Sequence, residues 1–131
     1  MLPWPLREFA ALHLHVVLVS PRNPLNIGAA ARAISNFGFT SLRLVEAYRD
    51  AVEEARSGVH SSPVLLAAQE FSTLAGAIAD CELVYGTGSM NRREQRLPLD
   101  RLEEAAGRLR SATGNVRWCL VRRRVDSRTM T

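Results

Sequence analysis

Residues 16–46 read VVLVSPRNPLNIGAAARAISNFGFTSLRLVE, and this alternation of apolar run, proline-rich turn, alanine-rich stretch and second apolar run decides the fold class. The first run, 16–20, is continuous β-branched and aliphatic sequence closed by Ser-Pro. That is the pattern of a strand buried on both faces, and hence parallel to its neighbours. Pro21 and Pro24 predict a non-helical loop over 20–27. A helix is expected from Gly28, stopped at 36–38 by Asn-Phe-Gly. A second short strand follows over 42–46.

The rest of the chain repeats the alternation. Residues 50–57 predict a short exposed helix ended by Gly58. In SSPVLLAAQEF, Ser62 is a candidate N-cap with Pro63 at the first helical position. In STLAGAIADC, Ser72 opens a helix of about two turns with Leu74, Ile78 and Ala75 or Ala79 on one face. ELVYGTGS (82–89) reads as a third strand ending in a glycine-containing loop. A helix starting at Pro98 sets Leu99, Leu102, Ala106 and Leu109 at helical spacing, and VRWCLV (116–121) is a fourth strand. Four strands alternating with helices predict an α/β fold, a mostly parallel sheet with helices on both faces. Residues 1–12 are expected to be a loose N-terminal extension.

Composition narrows the class. With 131 residues, 47% hydrophobic and 23% charged, the chain is expected to form one globular domain. No apolar run approaches the roughly 20 residues needed to span a bilayer, and MLPWPLREF lacks the features of a secretory signal. A cytoplasmic protein with no membrane partner is expected. The two cysteines, Cys81 and Cys119, lack metal spacing and are expected to be buried, reduced thiols. His13 and His15 flank Leu14 on one side of a strand and His60 stands apart, so no metal site is expected. All 17 basic residues are arginine and the net charge is +4. Four of the arginines (122, 123, 124 and 128) lie in the last ten residues, so the basic balance is a poor argument for nucleic-acid binding by the folded body.

In an open α/β sheet the ligand site lies beyond the carboxyl ends of the strands. Two loops of unusual composition leave strands there, 20–28 and 86–93. Neither holds GxGxxG or GxxxxGK[ST], which disfavours standard nicotinamide or ATP chemistry. Gly28 permits close backbone approach, and the following amides offer anion binding. Arg32, one turn on, points from the same side, where a guanidinium can grip a phosphate or carboxylate. Asn26 can donate, accept or brace the loop. The plainer alternative is that Asn26 caps the helix and Arg32 pairs with a surface acid. The chemistry of the residues leaves both open.

Taken together, residues 16–46 resemble the opening of the SpoU (TrmH-type) branch of the SPOUT RNA methyltransferases. The first motif of that family, Asn-x-Gly-x-x-x-Arg, is matched by Asn26, Gly28 and Arg32, and AIADCELVYGTGS is similar to its helix, third strand and Gly-Thr loop. The resemblance covers about residues 14–121 and is nearest the tRNA/rRNA 2′-O-ribose methyltransferases. It implies transfer of a methyl group from S-adenosylmethionine to a ribose 2′-hydroxyl of tRNA or rRNA, by a homodimer with an α/β-knot fold. It makes Arg32 the catalytic arginine, with Asn26 holding the motif loop and Thr87, Gly88 and Ser89 lining the cofactor site. Arg92 and Arg93, with Arg32, would contact RNA. A guanidinium stays protonated, so Arg32 is better suited to stabilising the developing alkoxide than to acting as a literal base.

The family continues after its fourth strand with Phe-Gly-x-Glu, Gly-Leu and later Ser-Leu-Asn, which build the knot and much of the cofactor pocket. Here CLV (119–121) is followed by RRRVDSRTMT. Residues 13–121 are therefore expected to be an incomplete methyltransferase domain without the knot segment, and 122–131 a non-native basic tail left by a frameshift or truncation. A sheet with an unpaired edge and an uncovered face is then expected, as is an inactive truncated copy as one form of the protein. A non-catalytic α/β nucleic-acid or nucleotide-binding module is the other function class open to the sequence.

Overall fold

A computed structural model describes residues 14–58, 62–87, 100–111 and 117–123. Among these, five strands alternate with helices: β1 (Leu14–Val19), α1 (Pro24–Asn36), β2 (Ser41–Val45), α2 (Arg49–Ser57), α3 (Pro63–Leu66), β3 (Gln69–Phe71), α4 (Leu74–Ile78), β4 (Leu83–Thr87), α5 (Leu102–Ser111) and β5 (Trp118–Arg123). The strands form one sheet in the order β3-β2-β1-β5-β4, every neighbouring pair parallel. The parallel α/β architecture is the one expected, with one strand more.

The differences have physical reasons. Helix α1 starts at Pro24, four residues before Gly28. The Asn23 side chain accepts a hydrogen bond from the Leu25 amide at 2.9 Å, and Pro24 sits just inside the cap, where its missing N–H costs nothing. Proline bars a helix interior but favours a helix start, so only Pro21 keeps the loop extended. Ser62 does cap α3, accepting from Leu65 N at 3.2 Å, but that helix makes a single turn. Gln69–Phe71 then adds an edge strand to β2 that the sequence reading did not contain. The cap of α4 is Thr73, which accepts from Gly76 N at 3.1 Å, and not Ser72. Strand β5 runs through Arg122 and Arg123, paired with Leu18 and Val19, two residues past the boundary drawn at 121. Pro98, Leu99, His13 and His60 lie outside the described residues.

Two apolar layers flank the sheet. On one face Val16, Leu18, Leu42 and Leu44 meet Ile27, Ala31 and Ile34 of α1, Ala51 and Val52 of α2, and Val64 and Leu65 of α3. On the other, Val17, Val19, Val45, Cys119 and Val121 meet Ala77, flanked by Leu74 and Ile78 of α4. Right-handed crossovers account for this division. The chain steps from β1 to β2 to β3 in one direction under α1–α3, then returns across the whole sheet to β4 through α4 on the opposite face.

That second face buries a charge. Arg43, on β2, is 6% exposed. Its Nη1 donates to Ala77 O and to Asp80 Oδ1, each at 2.6 Å, and Nη2 donates to Asp80 Oδ2 at 2.8 Å. The guanidinium also lies over the Phe71 ring, 5.7 Å from its centroid. Arg117 reaches Asp80 Oδ2 at 3.1 Å. The hydrogen-bonded Arg43 guanidinium holds the Asp80 carboxyl well below the usual carboxylate range. On the same face, His15 Nδ1 and Ser41 Oγ share a 2.6 Å hydrogen bond.

Cys81 and Cys119 are joined by a disulfide with Cα atoms 6.0 Å apart, where two reduced thiols were expected. They are 38 residues apart in sequence, and the pairing of β4 with β5 is what brings them together.

Two strands end alike. Ser20 (φ 55°) and Glu46 (φ 47°) both adopt the left-handed region. Each first extends the ladder by one bond, Ser20 N to Val45 O at 2.7 Å and Glu46 N to Phe71 O at 3.0 Å, before the chain turns out of the sheet. Left-handed backbone is costly for glutamate and tolerated by asparagine. Glu46→Asn is expected to raise stability by about 0.5–1 kcal/mol, read as a higher urea midpoint with an unchanged slope. The Asp80 carboxyl has its pKa lowered on folding, so its contribution is fully present above the ordinary carboxylate pKa near ~4 and is lost as pH falls through the lowered folded value. Urea midpoints across the acid range should therefore fall on that limb. Asp80→Asn should flatten the limb and lower stability at neutral pH, because Arg43 then stays buried without its carboxylate.

Candidate functional site

Strands β1, β2 and β4 deliver Ser20, Glu46 and Thr87 to the carboxyl edge of the sheet. There the two loops after β1 and β2 are tied together, Tyr48 N donating to Pro21 O at 3.2 Å. Helix α1 leaves this edge and runs back along the sheet on an apolar stripe of Ile27, Ala31 and Ile34. Gly28 and Arg32 lie one turn apart on one flank of that stripe, as the spacing predicted. At about 100° per residue, Asn26 falls on the other flank, some ~120° around from Arg32. The loop-bound Asn26 of the sequence reading is thus a helical residue of the first turn.

The three motif positions contribute little to the fold. Asn26 and Arg32 are exposed, and neither side chain has a hydrogen-bond or ion-pair partner among the described residues. The cap is Asn23, not Asn26, and among the described residues no acid pairs with Arg32. Gly28 has no left-handed φ, and a Cβ placed on it would meet nothing within 4 Å. Among the described residues, neither conformation nor packing calls for glycine.

Thr87 ends β4. Its hydroxyl donates to Val121 O at 3.4 Å, and in register it lies beside the exposed Arg122 on the same sheet face. Gly88, Ser89, Arg92 and Arg93 lie outside the described residues. For S-adenosylmethionine the pair fits one end of the molecule: a guanidinium and a hydroxyl suit the carboxylate of its amino-acid part. This pair does not place the sulfonium cation, so no step is derived through it.

One constellation had no sequence signal. Tyr85 OH donates to Asp100 Oδ2 at 2.7 Å, and Arg108 Nη1 reaches the same oxygen at 3.3 Å. The hydrogen bond to this carboxylate pushes the Tyr85 phenol above its ordinary pKa. The contact joins β4 to the segment entering α5 and is tertiary, so neither YGT nor PLD announces it. Among the described residues no group of three or more His, Cys, Asp or Glu is placed to hold a metal ion. No helix there is long and apolar enough to cross a membrane.

Known proteins resemble this chain in sequence and in overall structure. The chain is 42% identical over 84 residues to the tRNA (cytidine/uridine/adenosine-2′-O-)-methyltransferase TrmJ of Pseudomonas aeruginosa, covering 61% of this chain and 32% of that protein. It is 32% identical over 107 residues to the tRNA (cytidine-2′-O-)-methyltransferase TrmJ of Methanocaldococcus jannaschii, covering 79% and 46%. The chain thus spans less than half the length of either relative. A probable methyltransferase from Bordetella pertussis superposes with a TM-score of 0.72 at 28% identity, covering 89% of this chain and 70% of that one. TrmJ from Zymomonas mobilis ("Z. mobilis ZM4") superposes with a TM-score of 0.60 at 29% identity, covering 89% and 61%. A family model described as the SpoU rRNA Methylase family matches residues 13–110, from the start of β1 into α5. With that match over most of its length, the chain belongs to the SpoU rRNA methylase family.

Proposed function

We propose that this chain is an S-adenosylmethionine-dependent RNA 2′-O-ribose methyltransferase acting on tRNA or rRNA in the cytoplasm. The observation that carries the reading is the combination on α1 of an exposed arginine and a glycine that, among the described residues, have neither a side-chain partner nor a packing contact that calls for them. Family membership and the TrmJ relatives support the reaction class.

Arg32 supplies a fork of donors with a permanent charge, suited to hold the phosphate next to the target ribose and to stabilise the 2′-oxygen as it gains negative charge. Gly28 leaves the helix backbone open to that approach on the same flank. Asn26 orients the substrate from the other flank of the first turn. Thr87 holds the carboxylate end of the cofactor with Gly88 and Ser89, and Arg92 and Arg93 add phosphate contacts. Bound S-adenosylmethionine supplies the methyl group.

A homodimer is part of this reading. Leu25, Ala29 and Ala33 of α1 and Phe37 at its C-cap stand four residues apart along one inclined row. The end members are strongly exposed, Leu25 at 79% and Phe37 at 63%, and the alanines between them are exposed too. Small residues between two large apolar ones let a second helix approach closely, and a second copy of the same row is self-complementary about a two-fold axis.

Incubating the chain with unmodified bulk tRNA and rRNA and methyl-labelled cofactor tests the reaction. Label should enter ribose 2′-positions, Arg32→Ala should lower the rate by about 10²–10³-fold with unchanged circular dichroism, and Arg32→Lys should recover only part. RNA retained without transfer would replace this reading with the non-catalytic binding module. Sedimentation tests the dimer: Phe37→Glu should weaken association by at least roughly tenfold, and a monomeric parent chain would refute the interface.

A further inference from the structure

Cys81 and Cys119 lie away from the carboxyl edge, at the amino ends of β4 and β5. We propose that they form a reversible redox site, exchanged by low-molecular-weight thiols and disulfides, that sets how firmly β4 is held to the sheet. The proposal draws on the cytoplasmic reading above only for its compartment, since the cytoplasm keeps ordinary structural disulfides reduced.

The two sulfurs differ in access. Cys119 is 1% exposed within the layer of Val17, Val19, Val121 and Ala77, whereas Cys81 is only partly buried, in the turn after α4. An attacking thiolate therefore meets Cys81 Sγ first. It forms a mixed disulfide there and releases the Cys119 thiolate, which takes up a proton. A second thiol then releases Cys81. The balance is one protein disulfide plus two small thiols giving two protein thiols plus one small disulfide, and oxidation by a small disulfide is the reverse. Asp80 Oδ1 lies 3.7 Å from Cys81 Sγ. In the disulfide this contact carries no proton, but once reduced the Cys81 thiol can donate to it. The reduced state thus gains a hydrogen bond at the position that loses the cross-link.

The consequence falls on β4. Among the described residues it is an edge strand paired with β5 alone, and Val84 on its α4 side is 41% exposed. Its other ties include the β5 ladder, the amides of Glu82 and Leu83 on Arg117 O at 3.0 and 3.2 Å, the Tyr85–Asp100 hydrogen bond and the Thr87 hydroxyl on Val121 O at 3.4 Å. Strands β1 and β2, by contrast, are covered by apolar layers on both faces. Opening the disulfide should loosen β4, and Thr87 with it, while leaving β1 and β2 unchanged.

Hydrogen exchange of the full chain, read by mass spectrometry in glutathione buffers stepped from reduced to oxidised, tests this. The expected result is one two-electron transition. Across it both cysteines change from alkylatable to linked, and amides of 83–87 exchange about tenfold more slowly in the linked state while those of β1 and β2 do not move. Cys81→Ser, at the more exposed position, should fold and show the fast β4 exchange in every buffer. Cysteines that stay alkylatable in fully oxidised buffer would overturn the proposal. So would a linkage that persists in fully reduced buffer, or β4 exchange that is identical in both states. None of these readouts involves methyl transfer, so an inactive chain with an intact transition would count against the proposed reaction alone.

Discussion

The buried guanidinium of Arg43 is the interaction on which the second half of the sheet depends. Removing an arginine from water costs several kcal/mol unless its charge is matched and its donors are occupied. Here a bidentate carboxylate and a helix carbonyl occupy its two Nη groups beside an aromatic face, while the buried Nε has no partner among the described residues. Helix α4 is only five residues long and buries Ala77 alone, too little apolar surface to fix a crossover spanning the whole sheet. Asp80 compensates by accepting from Arg43 on β2 and from Arg117 at the mouth of β5. One carboxylate thus locates three elements. The residue after it, Cys81, is set against Cys119 as a result, and β4 with Thr87 is delivered to the edge.

Much of this was legible in the sequence where a local pattern maps onto one outcome. The run at 16–20 reads as a doubly buried strand because its residues are apolar without alternation, and β1 is packed on both faces. Strand β3 escaped because Gln69 and Glu70 are polar, the strand has three residues, and only its pairing with β2 makes it a strand. The start of α1 was misjudged because proline carries two opposite meanings, and the choice rests on whether Asn23 or Asn26 turns its side chain back to the helix. Arg43 within LRLVE gave no sign of burial, since its partner lies 37 residues away. The disulfide and the Tyr85–Asp100 contact were hidden for the same reason, both arising only after β4 is in place.

The alignment of Gly28 with Arg32 was legible for a geometric reason. Spacing along a helix is geometry intrinsic to the chain, so the common flank of Gly28 and Arg32 followed from a separation of four. Moving the helix start forward put Asn26 inside α1, on a different flank, without disturbing that pair. The motif therefore has two parts. One is a glycine and an arginine aligned on one side, and the other is an exposed asparagine on a different flank of the first turn.

Helix α1 also shows where the constraint on this motif comes from. Glycine inside a helix costs about 0.5–1 kcal/mol relative to alanine. At position 28 a methyl group would meet open space, so the fold itself would prefer alanine there. The chain places alanine at 29, 30, 31 and 33 around it, residues that restore the helix propensity given up at 26 and 28. Arg32, exposed and without a partner among the described residues, adds no ion pair that would offset the difference. The helix is favourable at its neighbours and unfavourable at these positions, and no contact among the described residues offsets the difference. A ligand that comes within van der Waals distance of the backbone at 28 would clash with any side chain there, and a charge one turn along the same flank is placed to meet an anionic ligand once it is seated.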